Sequence, residues 1–587
     1  MPVQIEYSIA MPQPATHRFH VTVIVTEWQE PHARLVLPAW TPGSYLIREF
    51  ARHVENFQAD TGNGSPLSWV RADKATWQIA TGELSTFRVR YEVYANDLTV
   101  RTSHLDASHG YFNGTNVFVY LDGFEQSPVT LRVDAPAGWH TSIALPQAKD
   151  GRYHAATYDI LADSPAEIGA HRVLRFEALD RPHEIALWGD GNEDEKALVR
   201  DLKQIVETVA GFFRDGLPYE RYLFILHLGD RLGGGLEHRD STTLGVDRWT
   251  FNPRDSYEKF LRLALHEFFH TWNVKRIRPA GLGPFDYTKE VYTPLLWVME
   301  GFTTYYDLVL LRRAGLITRK RYLELLAERI ATYSLQPGRH IQSLAESSLT
   351  TWIKFYRQDE NYVNSGISYY LKGSLVALML DLEMRRRSDN AASLDHLMRH
   401  LWESYGRRDV AFSPDEFVAA LAEVAGFDLS SYLERFVRGT EDLPLESILR
   451  RAGLHLARSR GAETPEVWLG LNCQDRDGEI VVQNVLRDSP AEEAGLMAND
   501  RLLAIEGYEI RDCAFLSARL SEHEAGDAVT LHLFRYGLLL QKRVRLAEAI
   551  PDQVVLRPMK ELSPLQRRIL ASWLQTEQEI LSTIIAG

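Results

Sequence analysis

Two hydrophobic periods divide the chain. In its first third apolar residues alternate with polar ones: Phe19, Val21, Val23 and Val25, then Phe87, Val89, Tyr91 and Val93. A period of two describes strands with one buried face. Pro42–Gly43, Asn63–Gly64 and Asn113–Gly114 supply turns between such strands. Residues 1–190 are expected to form a β-sandwich-like domain. After Gly189-Asp190-Gly191 the period lengthens, and Leu198, Val199, Leu202, Ile205, Val206, Val209, Phe212 and Phe213 follow the spacing of an amphipathic helix. A short strand, Tyr222 to Leu228, precedes the stretch Leu232-Gly-Gly-Gly-Leu-Glu-His-Arg-Asp-Ser241. From Asp255 to about residue 450 helical spacing dominates. Asp255 with Glu258 reads as a capping box opening the helix of the first histidine pair. Short strands return at Val467–Leu471, Glu479–Val485, Arg501–Ile505 and Thr530–Phe534, and Ser563 to Ile585 closes the chain as a helix. The expected class is multidomain α+β, divided at 1–190, 191–455, 456–548 and a helical tail 549–587.

Length agrees, since 587 residues exceed a single hydrophobic core and call for three or four domains. With 45% hydrophobic and 25% charged residues the composition is that of a soluble globular protein. A net charge of −14 argues against nucleic acid or an acidic membrane as the main partner, because phosphate binding needs clustered cations. Arg312–Arg313 and Arg385–Arg387 read as solvated helix ends, where cations complement the dipole. The two cysteines, Cys473 and Cys513, lie far apart with no CxxC, so neither a thiol metal site nor a disulfide framework is indicated. The opening MPVQIEYSIAMPQ lacks a basic segment followed by an apolar one, and no apolar run of about 18 residues exists. A reduced, cytoplasmic location is expected.

His266-Glu-Phe-Phe-His270 is the sharpest chemical feature. Histidines at i and i+4 lie about 40° apart around a helix axis, so both imidazoles can reach one ion. Glu267 sits about 100° round from the first histidine, where it can act on a water at the metal without taking a coordination position. Zinc suits imidazole nitrogen plus carboxylate with one place left for water. The motif sits among Leu261, Leu263, Leu265, Phe268 and Phe269, where unpartnered histidines would be costly to bury. A second apolar segment, Leu295-Leu-Trp-Val-Met-Glu300-Gly-Phe-Thr-Thr-Tyr305, carries an otherwise unexplained glutamate. Downstream, Ser368-Tyr-Tyr370-Leu-Lys-Gly373 offers a phenol.

His266–His270 followed by Trp297-Val-Met-Glu300-Gly resembles the gluzincin peptidases, and Tyr370-Leu-Lys-Gly373 resembles the tyrosine motif of that clan's aminopeptidases. More closely, the chain resembles the M61 glycyl aminopeptidase family. The likeness lies in Gly234-Gly-Leu-Glu237-His238, His270-Thr-Trp-Asn-Val-Lys-Arg-Ile-Arg-Pro279, Pro38-Ala-Trp-Thr-Pro-Gly43 and a PDZ-like C-terminal module. It implies an N-terminal β-domain, a thermolysin-like, mainly helical zinc peptidase domain and a PDZ domain. It implies one zinc ion per chain on His266, His270 and Glu300, with Glu267 as general base. Tyr370 would donate to the tetrahedral oxyanion, with Tyr369 beside it as a rival. Gly234, Gly235, Glu237 and His238 would line the substrate, Glu237 binding the free α-amine of a peptide added along a glycine-rich edge strand. A solvated glutamate on a glycine-rich turn is the plainer alternative. Where some gluzincins place an acid to orient a metal-bound histidine, this chain has Thr304, with Asp307 one turn on, so that role stays unassigned.

Trp468-Leu-Gly-Leu471, Ser489-Pro-Ala-Glu-Glu-Ala-Gly-Leu496 and Asn499-Asp-Arg-Leu-Leu-Ala-Ile505 resemble a PDZ domain of the bacterial protease type. Such a module either binds a peptide C-terminus or packs as a structural lid. The activity implied is release of a small N-terminal residue, glycine or alanine. A broader aminopeptidase or an endopeptidase on the same zinc site is the alternative enzyme. A PDZ-centred adaptor with a relic peptidase domain is the alternative from another class.

Overall fold

The computed structural model describes residues 2–462 and 464–574. The described chain falls into two compact units. One holds residues up to Thr293 together with Tyr306–Leu316 and Met398–Phe417, and the other holds Pro294–Tyr305, Ile317–Leu397 and the chain from Val418 onward. No helix among the described residues is long and apolar enough to cross a membrane.

The first unit begins with β-structure. Strand Arg18–Thr26 pairs antiparallel with Thr86–Tyr94, placing Phe19 opposite Val93, Val21 opposite Tyr91, Val23 opposite Val89 and Val25 opposite Phe87. The alternating residues of the sequence thus meet as cross-strand pairs on one buried face. They lie in a six-stranded sheet, with two four-stranded sheets beside it in the chain's first 170 residues.

A five-stranded sheet follows, in the order Arg172–Ala178, Arg181–Trp188, Tyr222–Gly229, Ser241–Asp247 and Gly235–Glu237. Tyr222–Gly229 is buried along its whole length, as a central parallel strand requires. Gly235–Glu237 is the edge strand. The helix Glu195–Phe213 buries Leu198, Leu202, Ile205, Val206 and Val209, and Asp194 caps it by accepting from the Lys196 and Ala197 amides.

The capping box expected at Asp255 is not formed. Helix Arg254–Phe269 has Pro253 at its cap with no side-chain cap bond, and Glu258 instead pairs with Arg254 at 3.2 Å. With Pro253 at the cap the helix starts two residues earlier than that box requires, which leaves Asp255 inside the first turn.

The second unit contains the helices Arg319–Ser334, Tyr369–Arg387 and Leu445–Arg451 and the C-terminal β-module. Tyr369–Arg387 is buried nearly all round. Its terminal Arg385 is not a solvated helix end: it is buried between Asp381, at 3.0 Å, and Asp395, at 3.4 Å. Paired carboxylates make that burial tolerable.

The C-terminal module is a sheet ordered Leu471–Arg476, Glu479–Val485, Arg501–Ile505, Ala528–Arg535 and Leu538–Arg545 around its own core. Helix Cys513–Leu520 packs on its edge strand Leu471–Arg476. Cys473 and Cys513 are joined there in a disulfide, with Cα atoms 6.0 Å apart. This corrects the expectation of two unpaired thiols: separation along the chain hides a strand and a helix that fold side by side. The closing helix is Pro564–Leu574, and the rest of the expected tail helix lies outside the described residues.

Candidate active site

The first unit brings His266, Glu267, His270, Glu237 and His238 together. His266 and His270 project from the last turn of Arg254–Phe269, with ring centroids 4.7 Å apart. The helix packs on the edge strand Gly235–Glu237. Ligand-type atoms of Glu237, Glu267 and His270 all fall within 4.8 Å of one another.

Each imidazole is oriented from behind. His270 Nδ1 lies 2.5 Å from the carbonyl of Asn273, which leaves Nε2 as the outward nitrogen. His266 Nδ1 lies 3.6 Å from the carboxylate of Asp307, which also faces Arg262 at 3.6 Å. Asp307 is thus the acid that faces the His266 ring, at the position one turn beyond Thr304. Its position after Glu300 is a signal the sequence offered without deciding between the two residues.

The glycines beside the acids are steric necessities. A Cβ at Gly235 would sit 2.2 Å from Glu267 Oε1, and one at Gly43 would sit 2.6 Å from both carboxylate oxygens of Glu237. Gly43 also has φ +86°, a left-handed conformation that disfavours side chains. The Pro38–Gly43 segment thus closes directly on Glu237. Glu237 is buried, and its Oε1 has no hydrogen-bond partner among the described residues. A buried carboxylate in that state calls for a cation. It borders a cleft of about 440 Å³ lined also by Tyr45, His238, Lys275, Phe285 and Tyr287.

The stretch after His270 anchors this arrangement. Trp272 is fully buried and stacks on Phe213 at 4.8 Å. Lys275 Nζ and His238 Nδ1 reach Asp163 at 2.8 and 3.0 Å. Burial alone would raise the Asp163 carboxyl, but Lys275 and His238 outweigh it and hold it down at about 2. Arg276 donates to Asp240 at 2.7 Å and to the carbonyls of Thr271, Pro218 and Arg239. His238 is consequently part of a buried charge network, a role its sequence position did not reveal.

In the second unit, Glu300 is buried on the π-turn Trp297–Gly301, which runs on without a break into helix Phe302–Arg313. Gly301 packs on Gly373: a Cβ at Gly301 would lie 2.6 Å from the Gly373 Cα. That backbone contact sets the turn bearing Glu300 against the helix bearing Tyr370. The two tyrosines are distinguished. Tyr369 is fully buried and its hydroxyl oxygen accepts from Thr351 Oγ1 at 3.0 Å, whereas Tyr370 is half-buried and stacks on Phe355.

A model of the Peptidase M61 N-terminal domain matches residues 6–170, one of the M61 glycyl aminopeptidase matches residues 259–376, and one of the PDZ domain matches residues 467–546. No curated protein sequence matches the chain. Among solved structures, an aminopeptidase N family protein from Idiomarina loihiensis is 32% identical, with 97% of this chain and 100% of that chain covered and a TM-score of 0.92. An M1 zinc metallopeptidase from Deinococcus radiodurans is 17% identical over 76% of this chain and 95% of that one, with a TM-score of 0.46, too distant to carry an argument. The first of these likenesses spans nearly the whole chain, and with the matched peptidase domains it establishes that the protein is a peptidase of the M61 glycyl aminopeptidase family.

Proposed function

We propose that the protein is a zinc-dependent aminopeptidase that removes the N-terminal residue of peptides. The observation that carries this reading is Glu237: a buried carboxylate oxygen without a partner, beside Glu267 and His270, with Gly43 closing the space beyond it. In a peptide the N-terminal nitrogen is two bonds from the first carbonyl carbon, about 2.5 Å away. An amine anchor must therefore stand within a few ångströms of the reacting groups, and a wall behind it leaves no room for a longer chain. An endopeptidase would need that space open.

One zinc ion per chain would be held by His266, His270 and Glu300. The donor set fits, because each histidine has its Nδ1 engaged or faced by an oxygen and presents Nε2, and Glu300 lies on the helical run that carries Asp307. When bound, zinc polarises the scissile carbonyl and acidifies the attacking water. Glu267 takes the proton from that water and returns it to the departing amine. Tyr370 donates a hydrogen bond to the oxyanion, while Tyr369 serves the core. Glu237 pairs with the α-ammonium, and Gly234, Gly235 and His238 shape the strand along which the peptide lies. The preference for glycine rests on the family's description alone, and alanine is added as the next smallest residue. The four-part division at residues 190, 455 and 548 belongs to this reading too.

The PDZ module is best read as structural. The Cys473–Cys513 link ties its edge strand to the neighbouring helix, whose Cα atoms at that point are 6.0 Å apart. An added strand needs about 4.8 Å on the strand side alone, so a peptide C-terminus has no berth between them while the link is closed. The cytoplasmic location loses the support it drew from unpaired cysteines.

A panel of aminoacyl-arylamides and their N-acetylated counterparts, with and without chelator, tests the proposal. Chelator should abolish turnover, small first residues should lead, and the acetylated series should stay intact. Efficient cutting of N-blocked peptides would sink the exopeptidase reading.

A further inference from the structure

A second cluster of histidines lies in the N-terminal β-region, on the hairpin joining His104–Leu105 to His109–Phe112. His109 is fully buried and stacked on Trp188, ring centroids 3.8 Å apart. Its Nδ1 lies 2.8 Å from Glu167 Oε1, and the other oxygen of Glu167 takes His227 Nε2 at 2.8 Å. His109 Nε2 is buried and has no hydrogen-bond partner among the described residues. His104 stands beside it, ring centroids 5.1 Å apart, with Nε2 3.1 Å from Asp106 Oδ2. Asp106 is fixed in turn, its Oδ1 accepting from the Ser108 amide, the Ser108 hydroxyl and the His109 amide.

These groups have the form that metal binding requires. Glu167 selects the His109 tautomer that carries its proton on Nδ1, so the buried Nε2 presents a lone pair. A ligand atom from each of His104, Asp106 and His109 lies within 4.8 Å of the other two. Bonds of about 2.0–2.2 Å in a tetrahedron would space them about 3.4 Å apart. The remaining closure falls to His104 and Asp106, which are partly exposed, while His109 is held by Glu167 and Trp188.

We propose that His104, Asp106 and His109 form a second metal site, separate from the peptidase centre, which takes a divalent ion of zinc's class. Two imidazoles and one carboxylate favour zinc, cobalt or nickel over calcium or magnesium, which seek oxygen. The ion pins the hairpin to the buried Glu167 pair, and water completes the fourth position.

The test is a cobalt titration of the full chain followed by its visible ligand-field band. The H266A/H270A double variant should still bind one equivalent, where the unaltered chain binds two. Adding H104A to that double variant should abolish the remaining band, and D106N should weaken it about tenfold or more. Should H104A fail to fold by circular dichroism, D106N carries the same decision. No cobalt in the double variant, or binding indifferent to both H104A and D106N, overturns the proposal. Equal binding by the unaltered chain and the double variant would instead count against the zinc site at His266 and His270, and leaves the hairpin to be judged by H104A.

Discussion

Two pairs of histidines in this protein are built on the same plan and advertised in opposite ways. His266 and His270 stand one helical turn apart, with a carbonyl behind one ring and the Asp307 carboxylate facing the other. His104 and His109 stand on the two arms of a hairpin, with Asp106 at one ring and Glu167 behind the other. In the helix, spacing alone implies that both rings face one point. In the hairpin nothing in the spacing does so. The decisive partner, Glu167, arrives from a strand 58 residues later, and His227 comes from another sheet. A periodic element converts sequence distance into direction, and a turn does not.

The largest effect should come from the helix pair. E267Q should lower kcat/KM by about 10³-fold while zinc content, measured by atomic emission, stays equal to that of the unaltered chain. Loss of metal with the activity would show Glu267 to be a ligand and would break the assigned roles. Next, E237Q should cost about 10²-fold against free-amine peptides, mostly in KM, as expected for removing one side of a buried charge pair. An unchanged KM would return Glu237 to the plainer role of a buried strand residue.

The tyrosines separate chemistry from packing. Y370F should lose about 10²-fold in kcat with little change in melting temperature. Y369F should do the reverse, losing about 1 kcal/mol of stability with its Thr351 bond and keeping its rate. The hairpin's own test is acid. Burial raises the Glu167 carboxyl, yet the bonds from His109 and His227 prevail and hold it at about 2, below its ordinary 4.5. A depressed folded value stabilises the protein above pH 4.5, and that contribution fades as pH falls towards 2. E167Q should therefore flatten the acid limb of the stability profile by up to about 3 kcal/mol. The smallest effect is expected at the PDZ module, where C473S should leave peptidase activity unchanged. Tight binding of a C-terminal peptide by that variant alone would show the disulfide to be a latch on a working groove.

What could be read from the sequence follows the same division. The strands through Phe19 and Phe87 were legible because alternation is local, and so was the helix from Leu198 to Phe213. The start of Arg254–Phe269 was misread because a capping-box pattern competes with a proline that no periodicity weighs. Arg385 looked solvated because Asp395, one of its two partners, lies beyond the helix end. The choice between Tyr369 and Tyr370 needed the burial of one ring, and the pairing of Cys473 with Cys513 needed the packing of a helix on a strand.

Gly43 carries a consequence for how such an enzyme could evolve. With Glu237 as the proposed anchor of the α-amine, its close approach to Gly43 would make the N-terminal β-region one jaw of a gauge that measures from the end of a chain. The gauge is one residue long, and its two jaws lie almost two hundred positions apart in the sequence. On that reading, lengthening the Pro38–Gly43 turn would reset the measure without touching the catalytic helix, and the choice of bond would be set by a segment that performs no chemistry.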